Sequence, residues 1–255
     1  NFIDGGLSDN NPCMLAMQEQ RKMAPELRRP DQFVSIGTGI STATQVTSTT
    51  SNSSLLFGNN SLAQTFKHYW SENFDGDKRF ASMRQMMAIT SADGACDIDH
   101  WLRRFNLPLA EELPDLADAN AMDTLASAAW AYFTSNPALH DLARAILASN
   151  FYFELRCMPM FEKGYYTCYG RILCRIPVTK PSFQTLIGKL DTLGARFLIQ
   201  RRRTRQTGSV VSSFDQTGNF SKPVCLRVRS LEDHLDMRIG FLGTRDYHIG
   251  ASPLS

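Results

Sequence analysis

The sequence predicts an α/β region over residues 1–150, followed by a smaller β-rich (α+β) domain of unknown role over residues 151–255. Two observations predict this order. Near the start, a strand end, a helix and a second strand follow one another, which is typical of βαβ units in a mostly parallel sheet. Near Asn150 the apolar period shortens to two residues, which indicates that helices give way to strands.

The composition indicates a globular protein and excludes several classes of function. Hydrophobic residues make up 43% of the 255 residues and charged residues 20%, which argues against a disordered or fibrous chain. The formal net charge of +2 is too small to predict a nucleic-acid partner. No apolar run approaches the ~18 residues that a membrane-spanning helix needs.

The six cysteines are scattered and include no C-x-x-C pair, which argues against a zinc site. Cys168 and Cys174 fall on one face of an alternating strand, as expected for buried free thiols. We therefore expect reduced cysteines in an intracellular, cytoplasmic protein. The cysteines are Cys13, Cys96, Cys157, Cys168, Cys174 and Cys225.

The chain opens with what reads as the end of a buried strand. Phe2 and Ile3 are apolar, and Asp4 follows at the strand's carboxyl tip, where ligands and catalytic groups collect in α/β folds. Gly5 and Gly6 allow a sharp turn with positive φ. The strand has no beginning and no initiator Met precedes it, so we expect the chain to be cut from a longer protein.

A helix and a short strand follow this turn. Asn11 can cap free backbone N–H groups, and Pro12 suits a first helical turn, so a helix is predicted over Cys13–Met23. Phe33–Ile36 is predicted to be a short buried strand, followed by a glycine turn.

The rest of the first region is mainly helical, apart from a loop over residues 41–61 that is rich in Ser, Thr and Asn. A short extended piece is predicted at 101–109. Helical periodicity is seen at 62–70, 80–87, 122–133 and 139–147.

The second region alternates between apolar and polar residues. Residues 151–157 and 165–177 read as two strands, and Glu162-Lys163-Gly164 as a hairpin turn between them. A helix is predicted from Ser182 to about Leu193, ended by Gly194. Residues 201–219 are predicted to be an exposed loop. Further strands are predicted at 195–200, 224–228, 235–241 and 247–249.

Several polar groupings have simple structural interpretations. Gly37-Thr38-Gly39 could cradle a phosphate, but without a third glycine or a Lys it is more typical of a turn. Asp97, Asp99 and His100 could form a metal cluster, although a solvated loop before a strand is the favoured interpretation. The basic run at 201–205 is interpreted as a solvated loop, with contact to anionic lipid head groups as the alternative.

Asp4 gains significance from its surroundings. A carboxylate before two glycines is usually a turn residue that bonds its own backbone. The whole string FIDGGLSDNNP, followed by FVSIGTG, resembles the patatin-like phospholipase family, particularly the multidomain patatin-like proteins of filamentous fungi. Asp4-Gly5-Gly6 matches the family's Asp-Gly-Gly/Ala motif, Asn10-Asn11-Pro12 the helix start after it, and SIGTG the next core strand. The resemblance covers roughly the first 155 residues.

This resemblance implies the carboxyl-terminal part of a patatin-like, doubly wound α/β domain. It also implies a serine lipid acyl hydrolase with a Ser–Asp dyad, in which Asp4 is the general base and Gly5 and Gly6 shape the turn. A serine hydroxyl is a weak nucleophile until a neighbouring base takes its proton. The expected substrate is a lipid ester, with peripheral membrane contact and with no metal or organic cofactor.

The sequence departs from the family in one important respect. It contains no G-x-S-x-G nucleophile motif and no Gly-rich oxyanion loop, both of which precede the Asp in the family. We therefore expect the chain to carry half of the catalytic site and to be inactive alone. The alternative is a non-catalytic patatin-like protein for lipid recognition or protein interaction. A nucleotide-binding module would need a P-loop, which is absent.

Overall fold

The computed structural model describes residues 11–27, 29–42, 75–90, 98–110, 114, 118–201, 204–210, 213–233 and 235–250. The chain divides into two compact units, Asn1–Asn136 and Pro137–Ser255. The predicted features that lie outside the described residues include the strand end at 2–3, most of the loop at 41–61, and the helix at 62–70.

The described part of the first unit contains two pairs of short parallel strands and several helices. In chain order the elements are α1 Cys13–Met23, β1 Phe33–Ile36, β2 Ile40–Ser41, α2 Gly76–Thr90, α3 Ile98–Trp101, β3 Leu102–Phe105, β4 Pro108–Leu109, a 3₁₀ turn Ala119–Ala121 and α4 Met122–Ser135. Strand β1 pairs with β3, and β2 pairs with β4, both in parallel. The helix predicted at Cys13–Met23, the strand predicted at Phe33–Ile36 and the extended piece predicted at 101–109 are confirmed by α1, β1 and β3.

The core of the first unit lies between α1, α2 and α3. Strand β1 contributes only one face to it, because Phe33 packs on this core whereas Val34 and Ile36 are exposed. The strand predicted at Phe33–Ile36 is therefore present, but only one of its faces is buried. The buried apolar residues are Cys13, Met17, Phe80, Met83, Met87, Ile98, Trp101 and Leu102.

The second unit is built mainly from antiparallel strands, as predicted for a β-rich domain. Its elements are α5 Pro137–Ser149, β5 Phe151–Leu155, β6 Met160–Glu162, β7 Tyr165–Cys174, α6 Pro181–Thr192, β8 Arg196–Arg201, β9 Thr204–Ser209, β10 Ser221–Val228, β11 Asp236–Gly240 and β12 Asp246–His248. One sheet has the order β10-β7-β5, with β6 also paired to β7, and the other has the order β12-β11-β8-β9.

The two sheets of the second unit share one apolar core. They meet where the Gly250 N–H donates a hydrogen bond to the Phe151 carbonyl oxygen at 2.7 Å. The rings of Phe151, Phe197 and Phe220 meet at the centre, with centroids 5.1 to 6.3 Å apart. Such tilted and edge-on contacts are the favoured geometry of aromatic pairs. The core also includes Ile172, Phe183, Leu190, Val210, Met237, Ile239 and Ile249.

Turn chemistry explains the boundaries of two elements. Lys163 and Gly164 have φ of 50° and 80°, which is the two-residue turn that fits the twist of a hairpin. The hairpin turn predicted at Glu162-Lys163-Gly164 is thus confirmed, although it joins β7 to β6, a strand that was not predicted. Pro181 begins α6, and Gly194, with φ of 59°, follows its end, so the predicted helix with its glycine stop is also confirmed.

Three features of the second unit differ from the sequence predictions. The boundary predicted near residue 150 falls instead before α5, because Ala145 and Ala148 of this helix belong to the core with the strands. The predicted loop at 201–219 contains β9, which pairs with β8. The strand predicted at 151–157 is shorter than expected, because β5 ends at Leu155, and Cys157 lies beyond it and is exposed.

Candidate functional site

The predicted catalytic motif lies just before the described part of the chain. Asp4, Gly5 and Gly6 are outside the described residues, so the structure gives no geometry for them. The described chain begins at Asn11. The candidate site nearest to the motif in sequence is the group of polar side chains at the carboxyl ends of β1 and β3, to which Asn11 is linked through the Gly76 carbonyl oxygen.

Asn11 anchors the start of α1 in two directions. Its Oδ1 accepts a hydrogen bond from the Cys13 backbone N–H at 3.2 Å, and its Nδ2 donates to the Gly76 carbonyl oxygen at 2.7 Å. The side chain is buried. The capping role predicted for Asn11 is therefore confirmed, and the same residue links the start of α1 to the start of α2.

The carboxyl ends of β1 and β3 are joined through Asn106, which directly follows β3. The Gly37 N–H donates to the Phe105 carbonyl oxygen at 2.7 Å, and the Gly39 N–H donates to Asn106 Oδ1 at 2.8 Å. Asn106 Nδ2 donates to Asp77 Oδ2 at 2.6 Å, so the first turn of α2 reaches the same edge. These bonds bring the carboxyl ends of β1 and β3 and the first turn of α2 together at Asn106.

Arg104 lies at the centre of this group, with only 12% of its side chain exposed. Its Nε donates to Asp77 Oδ1, its Nη1 donates to Ser35 Oγ at 2.8 Å, and its guanidinium lies 6.0 Å from the centroid of the Phe80 ring. Buried cations are stable only when paired and hydrogen-bonded. We call Asn11, Ser35, Asp77, Arg104 and Asn106 the strand-end cluster.

Glycines allow the close packing of the strand-end cluster. A Cβ at Gly37 would lie 2.3 Å from Asn106 Oδ1, and a Cβ at Gly76 would lie 3.0 Å from Arg104 Nη2. Gly39 adopts a φ of 114°, which favours glycine. Gly37-Thr38-Gly39 therefore forms the predicted turn, with two of its N–H groups used within the protein rather than offered to a phosphate.

Cys13 lies beside the cluster but is not an activated nucleophile. Burial raises the pKa of its thiol, although the charges of Arg104 and Arg79 act in the opposite direction. Because the thiolate is the reactive form, a raised pKa keeps this cysteine unreactive near neutral pH.

The other groupings noted in the sequence also have structural roles. Asp99 pairs with Arg84 at 2.7 Å, and it lies on α3 rather than in the predicted solvated loop, whereas Asp97 is outside the described residues. Within the described ranges, no group of three or more His, Cys, Asp or Glu side chains could hold a metal ion. None of the helices in those ranges is long and apolar enough to cross a membrane.

The strand-end cluster positions the backbone and does not itself supply a catalytic base. The Asp77 carboxylate is bound by both Arg104 and Asn106, so its oxygens are committed to hydrogen bonds inside the protein. Sequence analysis missed this cluster because Arg104 lies 27 residues from Asp77 and 69 from Ser35. One local feature does mark the start of α2: Asp75 is a helix-capping residue, and its Oδ1 accepts a hydrogen bond from the Asp77 N–H.

Comparison with known proteins identifies no relative. No protein-family model, no curated protein and no solved structure matches the chain. The function proposed below therefore depends on the motif in the sequence and on the scaffold that follows it.

Proposed function

We propose that the intact protein is a patatin-like lipid acyl hydrolase in which Asp4 is the general base of a Ser–Asp dyad. The observation that carries the proposal is the string from Asp4 to Pro12, which joins a carboxylate and a glycine turn to a helix start. The described structure supports the last part of this string, since α1 begins at Cys13, directly after Pro12, and Asn11 Oδ1 accepts a hydrogen bond from the Cys13 N–H.

The arrangement of the first unit also supports the proposal. A strand that ends at Asp4 and is followed by α1 and β1 would form a βαβ unit, in which both strands run parallel and their carboxyl ends share one edge. Within the described residues, β1 and β3 run parallel and end at the strand-end cluster. Ligands of open α/β sheets bind outside the carboxyl ends of the strands.

The proposed chemistry needs only a base and a nucleophile. Asp4 accepts the proton of a serine hydroxyl while the serine oxygen attacks the carbonyl of a lipid ester, and the alcohol leaves with that proton. Water, deprotonated by the same carboxylate, then hydrolyses the acyl-enzyme. We assign the serine to residues encoded upstream of Asn1, because the sequence contains no G-x-S-x-G motif.

The test uses a protein extended by its upstream coding sequence, assayed on phospholipid, lysophospholipid and acylglycerol esters. Asp4→Asn keeps size and shape but removes the base, so we expect turnover to fall roughly 10²–10⁴-fold with little change in thermal unfolding. Asp99→Asn is the matched control, because Asp99 is exposed and forms only a surface ion pair. Near-normal turnover of the Asp4→Asn protein would remove Asp4 from the mechanism.

The same experiment separates the non-catalytic alternative. If the extended wild-type protein binds lipid vesicles but hydrolyses none of the three ester classes, lipid recognition replaces catalysis as the function. The chain of 255 residues should show no esterase activity by itself. Activity that survives purification and is abolished by Asp4→Ala would show that a nucleophile lies within it.

A further inference from the structure

The sheet formed by β5, β6, β7 and β10 packs one face on the core of the second unit and leaves the other face open to solvent. On β7, Cys168 and Ile172 are buried, whereas Tyr165 and Tyr169, at the alternate positions, are exposed. Successive side chains of a strand point to opposite faces of a sheet. The two tyrosine side chains therefore lie on the open face, with relative exposures of 36% and 42%.

Three exposed arginines flank these tyrosines. Arg227 of β10 pairs with the β7 residue midway between the two tyrosines. Arg229 directly follows β10, and its guanidinium lies 5.9 Å from the centroid of the Tyr165 ring. Arg156 directly follows β5, and its backbone N–H donates to the Tyr169 carbonyl oxygen at 2.8 Å, which places it opposite Tyr169. We call Arg156, Tyr165, Tyr169, Arg227 and Arg229 the open-face group.

The positive charge of the open-face group is only partly balanced by carboxylates. A fourth arginine on β7, Arg171, pairs with Glu154 of β5 at 2.9 Å and also interacts electrostatically with Asp215, so we leave it out of the group. Glu162 of β6 is the other carboxylate on this face of the sheet. Within the described part of the chain, none of the three arginines of the group forms an ion pair. Three arginines are thus opposed by one further carboxylate, and the face is locally positive.

We propose that the open-face group binds single-stranded nucleic acid, with bases on the tyrosine rings and phosphates on the arginines. Aromatic side chains on an exposed sheet face stack with bases, and the arginine guanidinium donates paired hydrogen bonds to phosphate oxygens. The net charge of +2 does not predict this partner because it averages over the whole chain, whereas binding depends on charge collected on one face. This binding surface is independent of Asp4 and of the proposed hydrolysis.

The spacing of the tyrosines favours a single strand over other polyanions. Tyr165 and Tyr169 are four residues apart on β7, which separates their Cα atoms by about 13 Å. The bases of a duplex lie ~3.4 Å apart along each strand, so each base face is covered by its neighbour. The bases of a single strand can separate and stack on both rings. A lipid head group offers phosphate but no flat ring that could stack on a tyrosine.

The test is fluorescence anisotropy of a labelled oligothymidine dodecamer titrated with the full chain, with the corresponding adenine–thymine duplex as the comparison. We expect saturable binding that is tighter for the single strand than for the duplex. Contacts of three arginines with phosphates should give a slope of about −2 when log K is plotted against log salt concentration. Equal affinity for the duplex, or binding to phosphatidylserine vesicles without binding to the oligonucleotide, would overturn the proposal.

Two variants at Tyr169 test the stacking of a base. Tyr169→Leu removes the ring and should weaken oligothymidine binding roughly 5–150-fold, the range found when one stacked base loses its aromatic partner. Tyr169→Phe keeps the ring and should bind within about twofold of the wild type, since the stacking surface is retained. Equal affinities of the two variants, both folded by circular dichroism, contradict the proposal.

A third variant tests the contact between arginine and phosphate. Arg227→Gln should weaken oligothymidine binding and make the salt slope shallower by about 0.7, because one phosphate contact is lost. Arg196→Gln is the matched control, because Arg196 is an exposed arginine on β8 of the other sheet, and it should change neither the affinity nor the slope. Equal changes in the slope for the two variants would show that the oligonucleotide does not bind at the open-face group.

Discussion

The two units differ in what holds their strands together. In the second unit, the strands of both sheets pair in antiparallel fashion, and the rings of Phe151, Phe197 and Phe220 fill the space between the sheets. In the first unit, β1 and β3 are parallel and come from distant parts of the chain, and a buried arginine joins their ends. The comparison indicates that apolar packing holds the two sheets of the second unit together, whereas a network of polar hydrogen bonds fixes the strand ends of the first unit.

The largest effect should come from breaking the aromatic centre of the second unit. Phe151 is fully buried and contacts the rings of Phe197 and Phe220. Phe151→Ala should lower the free energy of unfolding of this unit by about 3–5 kcal/mol, because it removes apolar contact and leaves a cavity. Urea titration, combined with native-state hydrogen exchange of β5 to β12, measures the loss and assigns it to the second unit.

The matched control is Phe161→Ala. Phe161 is 62% exposed, although its ring lies 4.8 Å from that of Tyr166. This substitution should cost less than about 1 kcal/mol, since little apolar surface is buried there. Equal losses at the two positions would contradict the view that the aromatic centre dominates the stability of this unit.

The next effect tests the polar network of the first unit. Asp77→Ala leaves the Arg104 guanidinium mostly buried with one partner fewer, so hydrogen-exchange protection of β1 and β3 should fall by about 2 kcal/mol. Asp99→Ala is the control, because the pair of Asp99 and Arg84 is exposed at both ends and should contribute less than about 0.5 kcal/mol. If the Asp77 variant loses no more protection than the control, the network does not fix the strand ends.

Elements with local signals could be predicted from the sequence. Asn11 and Pro12 mark the start of α1, and Lys163-Gly164 marks the hairpin, because capping and positive φ depend on only a few neighbouring residues. By contrast, β9 has the sequence TRQTGS, with no apolar alternation, and it is a strand because its backbone pairs with β8. The feature that makes these residues a strand is therefore the pairing partner β8, not the sequence of β9 itself.

Long-range features could not be predicted for the same reason. The strand-end cluster joins residues far apart in sequence, and no periodicity reports a hydrogen bond between Arg104 and Ser35. The assignment of α5 to the second unit likewise depends on what Ala145 and Ala148 contact. The change of period near Asn150 locates the first strand of the second unit, but it carries no information about which core the preceding helix joins.

A third prediction concerns acid stability of the second unit. Burial would raise the pKa of Asp236, but hydrogen bonds and charge from His248 and Arg238 outweigh it and lower the pKa to about 2. The ordinary value is 3.8. The unfolded chain therefore takes up this proton at higher pH than the folded protein. The resulting stabilisation is fully present above about pH 4 and is lost as the pH falls toward 2.

Asp236→Asn should remove this contribution. We expect the variant to be less stable than the wild type by roughly 2 kcal/mol near pH 6, and the difference should shrink between pH 4 and pH 2. Urea titrations at a series of pH values, with hydrogen exchange of β11 and β12, provide the measurement. Stability curves that stay parallel down to pH 2 would show that this carboxylate does not contribute through its ionisation.

The smallest effect sharpens the comparison by separating backbone conformation from core packing within the second unit. Gly188 is exposed in the middle of α6, and a Cβ there would meet no atom within 4 Å. Gly164 is also in open space, but its φ of 80° disfavours any residue with a Cβ. Gly188→Ala should stabilise the unit by about 0.5–1 kcal/mol, because alanine loses less backbone entropy in a helix.

Gly164→Ala should destabilise it by about 1 kcal/mol, because an L-residue is strained in the left-handed region. Urea titration of both variants gives the two signs directly, and a change of the same sign at both positions would show that backbone conformation does not decide the outcome.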